Sequence, residues 1–294
     1  DIYPNSGSRP YGMIDVADAL KVSSNVFFNM VAGGTEFVVN LQPNEPHIAQ
    51  PLEIERFHQM MTEDYGFGAP TEIDLYGEST GLIPSEQWKI QQTRSPWSIG
   101  DMYQAAIGQG IVLVTPMQLL RATAATANGG TLYRPQLVKA VTSFDHTETY
   151  TLPAKIDRKI ELDPAYWEII REGMRRSVQD PTAYNRLANA GNKPAGDILG
   201  DIDRFRLAGK TGTAQYGGAT GTDRSHSWFV GFAPYEKPEI AVLALLEGTG
   251  DLLDGSGTLA LPTVVDVLRA YYKQPIPELA AQPSAGDPPA APPR

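Results

Sequence analysis

The stretch AGKTGTAQY, Ala208–Tyr216, decides the fold because its pattern is typical of a strand that carries a lysine and two threonines. Side chains alternate between the two faces of a strand, so Lys210 and Gly212 share one side while Thr211 and Thr213 share the other. The glycine leaves room for a second backbone, and a lysine beside hydroxyls suits a carboxylate. The stretch therefore predicts an edge strand that pairs with an extended peptide, with the Thr213 N–H available to an oxyanion. A plain surface strand followed by a turn is the alternative.

Composition limits the classes of function. The chain has 294 residues, of which 41% are hydrophobic, so it can build one large core or two small ones. A net charge of −10 without any lysine or arginine cluster argues against nucleic-acid binding. The chain has no cysteine, and its four histidines are scattered without metal-ligand spacing. We therefore expect no metal site, and no stretch of 18 apolar residues predicts a membrane span.

A second polar group lies at a predicted helix–helix junction. Apolar residues at helical spacing precede and follow Ser23-Ser24-Asn25, and the second helix is expected to end at Gly33-Gly34. Serine and asparagine at such a junction usually cap the next helix, so these residues alone do not indicate a functional site.

Further along the chain, the pattern predicts a helix that ends at Gly66, then a surface loop with one short strand over residues 66–85. Thr115 and Pro116 begin another helix, and Asp163 begins a third that runs to about Gln179. Three antiparallel strands and a helix over about Leu259–Tyr272 end the folded part. The Pro/Ala-rich residues 273–294 are expected to be disordered.

Several long blocks resemble a known family in their order along the chain. They are GLIPSEQW, SIGDMYQAAIGQGIVLVTPMQLLRATAATANGG, AGKTGTAQ and HSWFVGFAP. Together with Ser23–Asn25 they resemble the transpeptidase domain of class B penicillin-binding proteins, the peptidoglycan D,D-transpeptidases. The resemblance implies an α/β (α+β) fold of the penicillin-binding-protein and serine β-lactamase type. In that fold an antiparallel sheet is flanked by helices and a helical subdomain. Residues 1–272 would form this domain, incomplete at its N-terminus.

The resemblance also implies roles for individual residues. Ser23 would take part in proton transfer, Asn25 would bind a substrate amide, and Lys210 would be linked to Ser23. Thr211 and Thr213 would bind the substrate carboxylate beside Gly212, and the Thr213 N–H would form half of an oxyanion hole. Gln215 would line the same cleft.

The family's nucleophile is absent from this sequence. It should be a serine followed three residues later by a lysine, and no serine of the chain has that spacing. We therefore expect the acylated serine on an upstream segment that also anchors the protein at the extracytoplasmic face of the bacterial membrane. The chain alone is then expected to be inactive and poorly stable.

The implied partners are peptidoglycan stem peptides, β-lactams, the upstream segment and a membrane glycosyltransferase, with no nucleic acid and no cofactor. Two alternatives stay open. One is a D,D-carboxypeptidase or β-lactamase, and the other is a non-catalytic scaffold or sensor, which the missing serine motif favours.

Overall fold

The computed structural model describes residue 5 and residues 10–34, 39–40, 46–47, 51–183, 195–216, 224–249 and 259–273. The expected tail beyond Lys273 lies outside these residues. Among the described residues, no helix combines the length and the apolar composition needed to cross a bilayer.

Helices and short strands precede the main sheet. The helices are α1 Val16–Val22, α2 Asn25–Gly33, α3 Ile54–Gln59, α4 Glu86–Thr93, α5 Ile99–Ala106, α6 Pro116–Asn128 and α7 Pro164–Gln179. A π-helical turn, Met60–Asp64, continues α3 and ends before Gly66, where φ is +69°. Short strands form three small antiparallel pairs: β1 Val39–Asn40 with β2 Pro46–His47, β3 Thr131–Tyr133 with β6 Ile156–Lys159, and β4 Ala140–Thr142 with β5 Thr149–Thr151.

The helix ends follow the predicted capping residues. Thr115 Oγ1 accepts a hydrogen bond from Gln118 N, and Gln118 Oε1 accepts one from Thr115 N. Pro116 occupies the first turn of α6. Asp163 caps α7 with a single hydrogen bond, which its side chain accepts from Ala165 N. Local sequence alone determines these boundaries.

The C-terminal part forms the main sheet. Helix α8 Ala195–Phe205 leads into the strands β7 Ala208–Tyr216, β8 Arg224–Ala233 and β9 Ile240–Leu246, and α9 Ala260–Tyr271 follows them. All neighbours are antiparallel in the order β7-β8-β9, as the sequence predicted.

Helices cover both faces of this sheet. On one face Phe229 of β8 packs in a core with α8 and α9, including Val265 and Leu268. On the other face Phe232 packs against Met174 of α7 and Ala127 of α6. Both phenylalanines are fully buried, and burial of one such side chain contributes about 2 kcal/mol. The sheet is therefore held between two helical layers.

Helix α1 lies close against α7. A Cβ added to Gly173 would come within 2.6 Å of Leu20 Cδ1 and 3.2 Å of Ala17 Cα. Two ion pairs connect the same helices: Lys21 Nζ lies 2.8 Å from Asp180 Oδ2, and Arg176 Nη1 lies 2.9 Å from Asp18 Oδ1. Since α7 also packs on β7, it connects α1 to the main sheet.

The short strand expected within residues 66–85 is absent. The segment contains no strand, only an isolated antiparallel bridge between Leu82 and Leu113. Its acidic side chains are not simply solvated, because Asp74 accepts from Leu137 N at 2.7 Å and Glu78 accepts from Glu72 N at 2.9 Å. Hydrogen bonds from backbone N–H groups to these carboxylates are found where the alternating residues suggested a strand ladder.

Candidate active site

The junction between α1 and α2 gives its two serines different environments. Ser23 ends α1 in the left-handed region, with φ 56° and ψ 51°, and is exposed. Ser24 is buried; its hydroxyl accepts from Phe27 N at 3.2 Å and donates to Asn5 Oδ1 at 3.0 Å. Capping, the simpler explanation of this motif, is therefore the role of Ser24. The exposed Ser23 hydroxyl takes no part in this cap and can contact a neighbouring element.

Lys210 of β7 reaches that hydroxyl. Its Nζ donates to Ser23 Oγ at 2.9 Å and to the Thr211 carbonyl at 2.9 Å. The strand register explains the direction of the side chain, because Lys210 lies opposite Val230 and Ala208 lies opposite Phe232, the face that packs on α7 and α6. Two residues separated by 187 positions thus meet through the packing of α1, α7 and β7.

Burial makes the Lys210 ammonium group more acidic. It lowers the pKa of Lys210 from 10.5 to about 8, because an ammonium group loses hydration when it is enclosed. At neutral pH the side chain is still mostly protonated, yet it releases a proton far more easily than an ordinary lysine. An amine of this kind that is hydrogen-bonded to a hydroxyl can pass a proton or hold an anion.

The other predicted site residues line β7 and the start of α2. Thr211 lies opposite Phe229 and Thr213 lies opposite Ser227, on the face away from Lys210. Gly212 lies between them, and Gln215 is exposed near the end of the strand. Asn25 is the first residue of α2. Among the described residues, no direct hydrogen bond joins Asn25 to Lys210.

One contact of β7 was missed by the sequence analysis. Gln109, in the loop after α5, donates from Nε2 to the Thr213 carbonyl at 2.8 Å and accepts at Oε1 from Gln215 N at 3.3 Å. A glutamine flanked by two glycines, as in Gly108-Gln109-Gly110, is typical of a turn. The two flanking glycines do adopt positive φ, +72° and +73°, and the turn carries the glutamine to the outer edge of β7.

The sequence is similar to known proteins over nearly its whole length. Residues 3–269 match the family model of the penicillin binding protein transpeptidase domain. Peptidoglycan D,D-transpeptidase MrdA of Haemophilus influenzae is 29% identical over 296 residues, which cover 95% of this chain and 40% of that protein. The chain therefore spans about 40% of the length of this curated relative.

Solved structures of penicillin-binding proteins are also similar to this fold. The crystal structure of Pseudomonas aeruginosa PBP2 in complex with WCK 5153 superposes with a TM-score of 0.71 at 30% identity, covering 96% of this chain and 53% of that chain. In the complex between PBP2 and MreC from Helicobacter pylori, the TM-score is 0.63 at 25% identity, covering 90% and 41%. Since the family match extends over nearly the whole sequence, the chain belongs to the transpeptidase domain family of class B penicillin-binding proteins.

Proposed function

We propose that this chain forms part of a peptidoglycan D,D-transpeptidase that cross-links stem peptides. The observation that carries the proposal is the 2.9 Å hydrogen bond from Lys210 Nζ to Ser23 Oγ. It supports a shared proton-transfer unit built from two motifs that are far apart in sequence. The names of the relatives support the reaction class.

The proposed reaction is two successive acyl transfers. A serine hydroxyl attacks the carbonyl of the penultimate D-Ala, the bond to the terminal D-Ala breaks, and that D-Ala leaves with the serine's proton. An amine of a neighbouring stem peptide then attacks the acyl-serine and frees the hydroxyl. Both steps are covalent and proton-based, so they require no cofactor.

The residues of this chain would bind and orient the donor peptide. Lys210 and Ser23 would relay protons near the reacting carbonyl, and Asn25 would bind a substrate amide. The hydroxyls of Thr211 and Thr213 would bind the terminal carboxylate across Gly212, and the Thr213 N–H would stabilise the oxyanion. Gln215 would line the cleft beyond them.

The acylated serine itself would lie outside this sequence, because no serine here is followed three residues later by a lysine. An upstream segment of the same protein would supply it and would anchor the protein at the outer face of the cytoplasmic membrane. This chain by itself would then be inactive.

The proposed ligands and partners follow from the same chemistry. β-Lactams would acylate the serine in place of the stem peptide. The H. pylori relative was solved with MreC, which supports assembly with other proteins of the cell-wall machinery. A membrane glycosyltransferase that supplies glycan strands would be a further partner.

Labelling with a fluorescent penicillin tests the proposal. We expect no covalent labelling of this chain alone and clear labelling of the protein extended with its upstream coding sequence. Lys210→Ala and Ser23→Ala should each slow labelling of the extended protein at least tenfold, whereas Gln91→Ala, an exposed position on α4, should not. Covalent labelling of any serine in this chain would contradict the assignment of the nucleophile.

Product analysis separates the alternative enzymes. With a donor pentapeptide and an acceptor amine, a transpeptidase yields the cross-linked dimer. A carboxypeptidase or β-lactamase releases only hydrolysed product under the same conditions. An extended protein that binds the donor but releases no D-Ala would be the non-catalytic scaffold.

A further inference from the structure

The side chain of Gln109 makes the hydrogen bonds that a neighbouring strand would make. Its Nε2 donates to the carbonyl of Thr213 at 2.8 Å, and its Oε1 accepts from the backbone N–H of Gln215 at 3.3 Å. A primary amide carries the same donor and acceptor as a peptide group. One side chain therefore occupies two adjacent backbone groups on the outer edge of β7.

This edge is the part of the sheet that an extended ligand would use. Among the described strands, β7 pairs only with β8, from Ala208 opposite Phe232 to Tyr216 opposite Arg224. Backbone groups of alternate residues point to the same side of a strand, so those of Thr213 and Gln215 face away from β8 toward Gln109. A peptide adding to β7 meets the glutamine first.

The loop holds Gln109 in place. The Gln109 N–H donates to the Gln104 carbonyl at 2.8 Å, and the Gly108 N–H donates to the Ala105 carbonyl at 3.0 Å, which ties the loop to the end of α5. The positive φ of Gly108 and of Gly110 allows the tight turn, and a Cβ on Gly110 would come within 3.0 Å of the Gln104 Cβ. A turn fixed in this way presents the side chain of Gln109 to β7 before any ligand arrives.

We infer that Gln109 is a place-holder for the backbone amide of the bound peptide. Its side chain is hydrogen-bonded to the Thr213 carbonyl and the Gln215 N–H in the free protein. These two bonds must break when an extended ligand pairs with β7. This inference rests on the proposed function for the class of ligand. It makes Gln109 a determinant of specificity, because a ligand pairs at Thr213 only if its own N–H replaces the displaced donor.

Amide hydrogen exchange tests the contact itself. In the protein extended with its upstream coding sequence, which is used in both tests, Gln109→Ala should speed exchange of the Gln215 amide at least fivefold, because the acceptor on that N–H is lost. Gln91→Ala, a matched glutamine on the exposed side of α4, should leave this rate unchanged. An unchanged Gln215 rate in Gln109→Ala would overturn the inference whatever the ligand.

Binding of a matched pair of peptides tests the place-holder role. The probes are an N-acetylated peptide ending in D-Ala-D-Ala and its analogue with an N-methyl group on the penultimate amide. We expect Gln109→Ala to bind the first peptide about three to ten times more tightly than the unmodified protein does, since no hydrogen bond must be broken. The N-methyl analogue should bind Gln109→Ala and the unmodified protein with the same affinity. Equal gains for both peptides, or no gain for the first, would overturn the inference.

The two proposals fail in different ways. If neither peptide binds any variant while Gln215 exchange responds to Gln109→Ala, the contact exists but the peptide ligand, and with it the proposed function, is wrong. If the first peptide binds all variants with one affinity, the proposed function stands and the place-holder role is wrong.

Discussion

Lys21 Nζ lies 2.8 Å from Asp180 Oδ2 and so joins the last turn of α1 to the C-terminal end of α7. The lysine points away from the cleft, whereas Ser23, two residues later, points toward Lys210. Helix α7 also packs on β7, the strand that carries Lys210. The ion pair therefore helps to fix the position of α1, and with it Ser23, relative to Lys210.

Removing the charge of Asp180 should weaken the packing of α1 against α7 and destabilise the protein. The carboxylate also accepts from Thr182 N at 2.8 Å and from Thr182 Oγ1 at 2.7 Å, and Lys21 together with these bonds holds the pKa of Asp180 well below its usual range. We expect Asp180→Asn to lower the free energy of unfolding by about 1 kcal/mol, measured by urea denaturation. Glu161→Gln, an exposed carboxylate before α7, is the control. Equal stability of the two variants would show that the pair contributes nothing.

The titration of Lys210 can be followed directly. Because burial lowers its pKa to about 8, the NMR signal of the Lys210 side chain should titrate with a midpoint near pH 8 and disappear in Lys210→Met. The folded protein then binds fewer protons than the unfolded chain between pH 8 and about 10.4, so the contribution of this residue to stability rises across that window. A midpoint above pH 10 would refute the effect of burial.

The buried guanidinium of Arg121 should depend on its acidic partner. Arg121 is 7% exposed, and its Nη2 lies 2.8 Å from Asp157 Oδ2. Burial lowers the pKa of Arg121 and the carboxylate opposes that effect. Asp157→Asn leaves this buried charge without its partner and should cost about 3 kcal/mol of stability. The exposed Glu148→Gln should cost almost nothing in the same denaturation experiment, and a similar loss in both would refute the prediction.

Glu172 should contribute to stability at neutral pH and lose that contribution in acid. Hydrogen bonds from Arg175 and, after the opposing effect of burial, from Arg176 lower the pKa of Glu172 to about 2. A depressed carboxyl pKa stabilises the folded state above the unfolded value, about 4.3, and this gain is lost as pH falls toward 2. We expect Glu172→Gln to be less stable by roughly 1 kcal/mol at pH 7, given solvent screening.

The measurement is thermal unfolding at a series of pH values. The difference between Glu172→Gln and the unmodified protein should shrink between pH 4.5 and pH 2. A difference that stays constant over that range would show that the ionised form of Glu172 is not what stabilises the fold.

Local chemistry made much of the fold predictable. The helix that begins at Thr115 and Pro116, the helix that begins at Asp163 and the three C-terminal strands follow from residues adjacent in sequence. The structure of residues 66–85 was harder to predict, because Asp74 and Glu78 accept hydrogen bonds from backbone N–H groups and no partner strand forms.

Long-range contacts were not predictable in the same way. The arginines at 171, 175 and 176 form a partly buried network with Glu172, Tyr235 and Asp18, and the sequence near them does not indicate these partners. Gln109 lies 104 positions from Thr213, and nothing in its local pattern except the flanking glycines indicated a contact with a strand. Such partners depend on tertiary packing, which a single sequence does not display.

The absence of a side chain at Gly173 places control of the Ser23–Lys210 spacing outside the cleft. Leu20 and Ala17 of α1 fill the volume that any larger residue would require, and Ser23 lies at the end of that helix. Substitution at this remote position would shift α1 and change the gap between hydroxyl and ammonium without replacing either group. Substitutions that alter the Ser23–Lys210 contact should therefore be sought at this helix crossing as well as among residues that line the cleft.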